Sequence, residues 1–253
     1  MQEIIRIWNI NADSIVFVDD SPMELSEVQA AHPKITCLQF HPKDPALVWD
    51  LLCQLRDLFG KPAIFEEDRL RSVSIRSGAE FQERVEEDGA DTFLETVAGR
   101  IKIRYHNDAN DKRPLELINK TNQFNLNGIR YSEADWNAYR CDPSVQLAVV
   151  DYEDRFGKLG KISVLAGREQ NGGFEVDVWA MSCRAFSRRI EHQILNVLFG
   201  RWDPIRFRHK STDRNGPMQS FLSEMAISCQ PMERAEFSRR CPTLFQQTEC
   251  IHV

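Results

Sequence analysis

Residues 14–18 (SIVFV) form a short β-branched apolar run ending in Asp19 and Asp20, the pattern of a strand buried on both faces and opening at its C-terminal end. A helix is expected next: Pro22 suits the first helical turn, residues 23–31 carry it, and Pro33 stops it. A second strand at 35–40 and a helix at 45–59 complete a βαβα stretch. Parallel strands need cover on both faces, so two of them make a poor independent sheet and this end reads as incomplete. Residues 65–88 are highly charged, with sparse apolar positions at helical spacing, as in a solvated linking helix that serves as a spacer.

From Arg100 the period changes. A strand at 100–105 precedes a helix at 113–122, a polar loop and a helix at 132–140. Three strand candidates follow at 146–151, 161–167 and 174–182, with Gly157, Gly160, Gly172 and Gly173 marking turns, which reads as an antiparallel meander. The stretch Val149 to Glu153 resembles an apolar strand with an acidic end and is read as a strand-to-turn junction. A helix at 187–199 places Ile190, Ile194, Val197 and Leu198 on one face. A short strand at 205–208 and a helix at 217–225 follow, and the tail to Val253 is weakly patterned. The fold class is α/β throughout, in two unequal parts.

Composition narrows the classes. The 253 residues, 42% hydrophobic and 28% charged, suit an ordinary globular protein of one large or two modest domains. No apolar run approaches the roughly 20 residues that span a bilayer, and Glu3 and Arg6 interrupt the start where a signal peptide needs an apolar core. A cytoplasmic protein without a membrane partner is expected. The seven cysteines are odd in number and contain no CxxC pair, so neither a disulfide framework nor a structural zinc site is indicated. A net charge of -6 argues against broad nucleic-acid binding.

The candidate chemistry gathers at the end of the 174–182 strand. Arg184, Arg188 and Arg189 fall within six residues at a helix start, where the helix dipole disfavours cations unless an anion compensates. First-turn N–H groups would point at the same anion, making a phosphate or pyrophosphate seat; the other reading is neutralisation by Glu191 and distant carboxylates. Cys183 stands beside Arg184, whose charge would favour a thiolate able to carry a thioester, or it is a packed thiol. The loop 121–127 (TNQFNLN) sets amides around Phe124, either to bind a polar substrate or to tie down a backbone. Asp19 and Asp20 could hold Mg²⁺ or cap a helix. His192 is read as a surface helix residue.

These segments together resemble the C-terminal part of FkbH-like proteins, known from methoxymalonyl-carrier biosynthesis. The similar blocks are VFVDDSP (16–22), KTNQFNLNGIRYSEADW (120–136), DRFGKLG (154–160), VDVWAMSCRAFSRRIEH (176–192) and the helix entry Asn215, Gly216, Pro217. The resemblance implies a remnant of a haloacid-dehalogenase (HAD)-type, Rossmann-like phosphatase domain over 1–62, a helical linker over 63–98 and a GNAT acetyltransferase-like mixed α/β domain over 99–253. It implies an acyl- or glyceryl-transferase-like activity on the phosphopantetheine thiol of an acyl carrier protein. Cys183 would then be the catalytic candidate, with Arg184, Ser187, Arg188, Arg189, Asn122, Gln123, Asn125 and Asn215 lining the substrate and cofactor site. Asp19 and Asp20 match a late acidic motif that helps hold Mg²⁺, but the nucleophile motif of the family lies before the point where this chain begins. No phosphatase activity is therefore expected, and Mg²⁺ would matter only if a partner chain supplied the missing HAD half. Ser187 and Arg189 stand where the general pyrophosphate loop carries glycines, which favours carrier-bound phosphopantetheine over free CoA. The alternatives are a non-catalytic substrate- or carrier-binding half of a split enzyme, and a truncated inactive remnant.

Overall fold

Two capping side chains set the helices of the N-terminal unit. In the computed structural model, which describes residues 1–8, 10–60, 64, 66–105, 108–170 and 172–252, Ser21 Oγ accepts from Glu24 N, and Asp44 accepts from Ala46 N and Leu47 N. Each cap is followed by proline, whose fixed φ suits the first helical turn. The elements are α1 (Gln2–Trp8), β1 (Val16–Asp19), α2 (Pro22–Ala31), β2 (Thr36–Gln39) and α3 (Pro45–Phe59). β1 and β2 pair in parallel, Val16 opposite Thr36 and Asp19 opposite Gln39, as a two-stranded sheet. Ile15, Ile35 and Leu51 are the buried hydrophobics among the described residues of this unit.

The chain divides into two compact units, Met1–Arg69 and Leu70–Val253. The division falls in the first turn of α4 (Glu66–Asp88), within the stretch that charge patterning read as a linking helix over 65–88 and that the resemblance extended to 63–98. Charged residues do cover much of α4, but Phe81 is fully buried against Phe93, Leu94 and Val97 and against Phe156 and Phe245. Phe93 and Leu94 belong to α5 (Ala90–Thr96), a short helix the pattern did not reveal. One aromatic position on a charged helix is enough to dock it, because a buried phenyl removes more apolar surface than any of the neighbouring side chains.

The rest of the second unit is β3 (Arg100–Tyr105), α6 (Arg113–Lys120), α7 (Glu133–Arg140), β4 (Val145–Asp154), β5 (Gly157–Gln170), β6 (Gly173–Met181), α8 (Ile190–Arg201), β7 (Ile205–Phe207), α9 (Gly216–Glu224), α10 (Arg234–Arg240) and β8 (Gln247–His252). They build a mixed α/β fold on a six-stranded sheet of order β7-β6-β5-β4-β3-β8. β4, β5 and β6 form the expected antiparallel meander, β3 pairs antiparallel with β4, and β7 and β8 add in parallel at the two edges. The weakly patterned tail supplies α10 and β8, and β4 runs on to Asp154 through the segment read as a strand-to-turn junction. One sheet face, with Ile103, Val150, Leu165 and Trp179, packs under Ile194, Leu198, Phe221 and Phe237. On the other, Leu117, Ile118 and Trp136 cover Val149, Val164 and Val178. Among the described residues no helix is long and apolar enough to cross a membrane.

A bulge breaks the β5–β6 ladder. Ala166 opposes Val178 and Gly167 opposes Val176, so Asp177 has no cross-strand partner. The strands approach so closely here that a Cβ on Gly167 would stand 2.1 Å from Glu175 O and 2.8 Å from the Phe174 ring. Glycine is thus the residue that allows the bulge, and the bulge re-aims a charged side chain. Gly167→Ala is expected to cost about 3 kcal/mol, read as a lower urea midpoint at unchanged slope; a midpoint equal to that of the parent would contradict this role.

Candidate functional site

Two of the three clustered arginines pair with acids of this chain. Arg188 is 2% exposed: its Nε donates to Asp154 Oδ2 at 3.0 Å, Nη1 donates to Arg184 O, and the guanidinium lies 3.8 Å from the centroid of Phe81. Arg189 pairs with Asp91 at 2.5 Å and donates to Thr243 O. Arg184 Nε donates to Ser182 Oγ, and Ser187 Oγ accepts from Gln82 Nε2. Helix α8 begins only at Ile190, with Ser187 and Arg189 both at left-handed φ, 65° and 55°. These observations correct the expectation of an open phosphate seat. Asp154 and Asp91, 34 and 98 positions away along the chain, supply the compensating charge that an external anion was expected to bring. Cys183 sits half-buried in a 3-10 turn beside them.

The amide loop is a structural tie. Asn125 Nδ2 donates to Ile118 O and Thr121 O, and its Oδ1 accepts from Asn127 N and Gly128 N. Buried Asn215 does the same for the next loop, donating to Asn125 O and Lys210 O and accepting from Thr212 N and Gln219 Nε2. Each amide therefore fills its two donor and two acceptor places internally. The backbone of this loop pairs with the end of β6, Leu126 N donating to Trp179 O and Met181 N to Phe124 O, and Gln123 O accepts from Met218 N. Asn122 Oδ1 accepts from Arg130. Asn122, Gln123, Asn125 and Asn215 thus come together, but through backbone and loop contacts.

Asp19 Oδ1 accepts from Ser21 N at 2.8 Å, a turn at the entry to α2. Among the described residues no group of three His, Cys, Asp or Glu could hold a metal ion. His192 was expected at the surface; it is 5% exposed, edge-on to Phe221 with centroids 5.1 Å apart, because α8 buries residues all round between the sheet and its covering helices.

A different set of residues lines an open recess of about 680 Å³: Tyr131 and Tyr139, Arg168 from β5, Asp177 from the bulge, and Arg208 and Lys210 beyond β7. The Asp177 carboxylate gathers it. Arg168 pairs with Oδ2, Tyr139 Oη donates to Oδ2 at 3.0 Å, and Arg208 Nη1 approaches Oδ1 at 3.3 Å. Arg168 also lies 4.7 Å from the Tyr139 centroid, and Tyr139 stacks on Trp136. Burial and then the Asp177 charge hold the Tyr139 phenol above its ordinary range, and Tyr131 is raised for the same two reasons. Sequence reasoning passed over this set, although an aspartate inside the apolar run Val176 to Met181 is the kind of buried charge that signals a partner.

Comparison with protein-family models, curated proteins and solved structures yields no match to this chain.

Asp154→Asn leaves the Arg188 guanidinium buried without its carboxylate and is expected to cost about 3–5 kcal/mol, whereas Asp154→Leu combined with Arg188→Met should cost less than the sum of the single changes. Additive losses in a double-mutant cycle would show that the pair is not coupled. All four tyrosines, Tyr105, Tyr131, Tyr139 and Tyr152, are raised, with burial the largest cause in each; Tyr105 is pushed up to about 12. The fold favours the neutral phenols, so their contribution to stability is complete below the ordinary value of 10.0 and is lost as pH rises through the folded values. Absorbance at the phenolate band should stay flat through that ordinary value and rise together with unfolding; an early reversible rise would contradict the burial.

Proposed function

We propose that this chain is the non-catalytic, substrate- or carrier-recognising half of a two-part enzyme of the FkbH-like type. The observation that carries this reading is the apolar surface of the first unit. Met23, Trp49, Leu52, Leu58, Phe59 and Ile64 are each more than half exposed, against three buried hydrophobics. Beyond Arg69, no described large hydrophobic is more than half exposed, and Ile129, at 45%, comes nearest. Exposure of so many large hydrophobics suits a surface that another chain covers, and both strands of a two-stranded parallel sheet have an edge open to a further strand. In the FkbH-like reading the partner is the phosphatase-type half, which would extend the β1–β2 sheet. With such a partner the Asp19 and Asp20 carboxylates would be the ones available to Mg²⁺. The acetyltransferase-like part would recognise the carrier arm, as phosphopantetheine or CoA. Pairing of Arg188 and Arg189 with internal acids takes both out of phosphate binding beside Cys183, so recognition of the carrier arm would fall to other residues of that part.

The test uses the full chain with and without a separately expressed phosphatase-type half of an FkbH-like protein. Light scattering on a sizing column should show a complex, and amides of β1 and β2 should exchange fast in the chain alone and slowly in the complex. A chain whose β1 and β2 amides are already as protected as those of β5 and β6, and which forms no complex, would remove the split-enzyme reading. A glyceryl adduct on a phosphopantetheinylated carrier formed by this chain alone would restore the transferase one.

A further inference from the structure

The recess around Asp177 has no part in the partner-chain reading, and its chemistry is specific. Two guanidinium groups converge on one carboxylate whose side chain is 8% exposed, so the carboxylate is internal and the cations face outward around it. Glu175 holds Arg208 Nε at 2.9 Å and Asp142 stands 3.5 Å from Arg168 Nη2, which fixes both guanidinium planes from behind and from the rim. These bonds engage Nε and Nη1 of Arg208, leaving its Nη2 and the ammonium of Lys210 as donors at the recess. A lysine and an arginine held in this way suit an oxyanion, the arginine by its planar fork and the lysine as a point charge.

The other wall is apolar. Tyr131 and Ile129 line the recess, and Ile129 is 45% exposed in a unit whose other described large hydrophobics are not exposed. The loop that carries it turns at Gly128, φ 73°, and is tied by Asn127, whose Nδ2 donates to Asp177 O at 2.8 Å and to Arg208 O at 3.2 Å. The apolar lip and the cationic floor are therefore held to each other by one side chain, so their spacing is set before any ligand arrives. Preorganisation of this kind, in a volume within the roughly 300–1,000 Å³ of small-molecule sites, distinguishes a binding recess from a charged surface groove.

We propose that this recess binds a small organic oxyanion with a flat apolar body, its phosphate or carboxylate on Arg208 and Lys210 and its body against Tyr131 and Ile129. The oxyanion supplies charge where the internal acids leave donors over, and the body covers the exposed isoleucine. Neither inorganic phosphate nor a neutral aromatic satisfies both walls.

Calorimetric titration of the full chain with phenyl phosphate, benzoate, inorganic phosphate and benzyl alcohol tests this. Phenyl phosphate or benzoate should bind about tenfold or more tightly than inorganic phosphate, with affinity falling as salt rises, and benzyl alcohol should not bind measurably. The comparison of the first two tells phosphate from carboxylate. The variant Arg208→Gln/Lys210→Gln changes two exposed side chains and should keep the parent thermal midpoint within a few degrees while losing about tenfold in affinity for the preferred anion. Ile129→Ser should weaken the aryl anion and leave inorganic phosphate unchanged. The proposal is overturned if none of the four probes binds, if inorganic phosphate binds as well as the aryl anions, or if the double variant, folded by its midpoint, binds as the parent does. Success or failure here is independent of the complex with a phosphatase-type half, since neither titration nor variants involve the first unit.

Discussion

A guanidinium buried to the extent of Arg188 must carry its own counter-charge into the interior, and Asp154 at the end of β4 is that charge. Once the pair forms, much else follows. The chain between β6 and α8 must bring Arg188 inward, which it does through a 3-10 turn and two left-handed residues, Ser187 and Arg189. The guanidinium presents its face to Phe81, and Phe81 gathers Phe93 and Phe156, so a helix with a charged exterior is drawn into the second unit. Asp154 Oδ1 also accepts from Phe156 N, which shapes the turn into β5. A cluster of arginines at a helix start has in this protein become a structural clamp.

The second organising device is a pair of saturated amides. Asn125 and Asn215 fix two loops against the free edge of β6, where residues 124–126 pair beyond the end of β7. The loop that carries Asn125 runs on through Asn127, Gly128 and Ile129 to line the recess at the bulge, where Asp177 leaves the β5–β6 ladder. The clamp and the amide ties are both built from buried polar side chains that meet partners within the chain: Arg188 on Asp154, and Asn125 and Asn215 on loop backbone.

The two units differ in kind. Beyond Arg69 two apolar clusters lie on the two faces of a six-stranded sheet, and among the described residues Ile129 is the large hydrophobic left exposed. Before it, two strands and three helices bury three hydrophobics among the described residues. The first unit's most exposed large hydrophobics are carried by α2, α3 and Ile64 rather than by the two strands.

Periodicity alone made much of the architecture legible. The runs at 14–18 and 35–40, the capped helices α2 and α3, and the β4–β5–β6 meander all follow from local patterning, since side-chain alternation and proline or glycine punctuation act over a few residues. The sequence offered less for α5, α10 and β8, whose apolar positions are too few to set a period and which take their form from packing on neighbours. Charges were the least legible. A list of residues cannot say that Arg188 meets Asp154 across 34 positions, that Asn215 reaches Asn125 across 90, or that Gly167 permits the bulge that turns Asp177 toward Arg168 and Arg208. Electrostatic and hydrogen-bond partners are chosen by proximity in space at low dielectric, and proximity exists only after the sheet has closed.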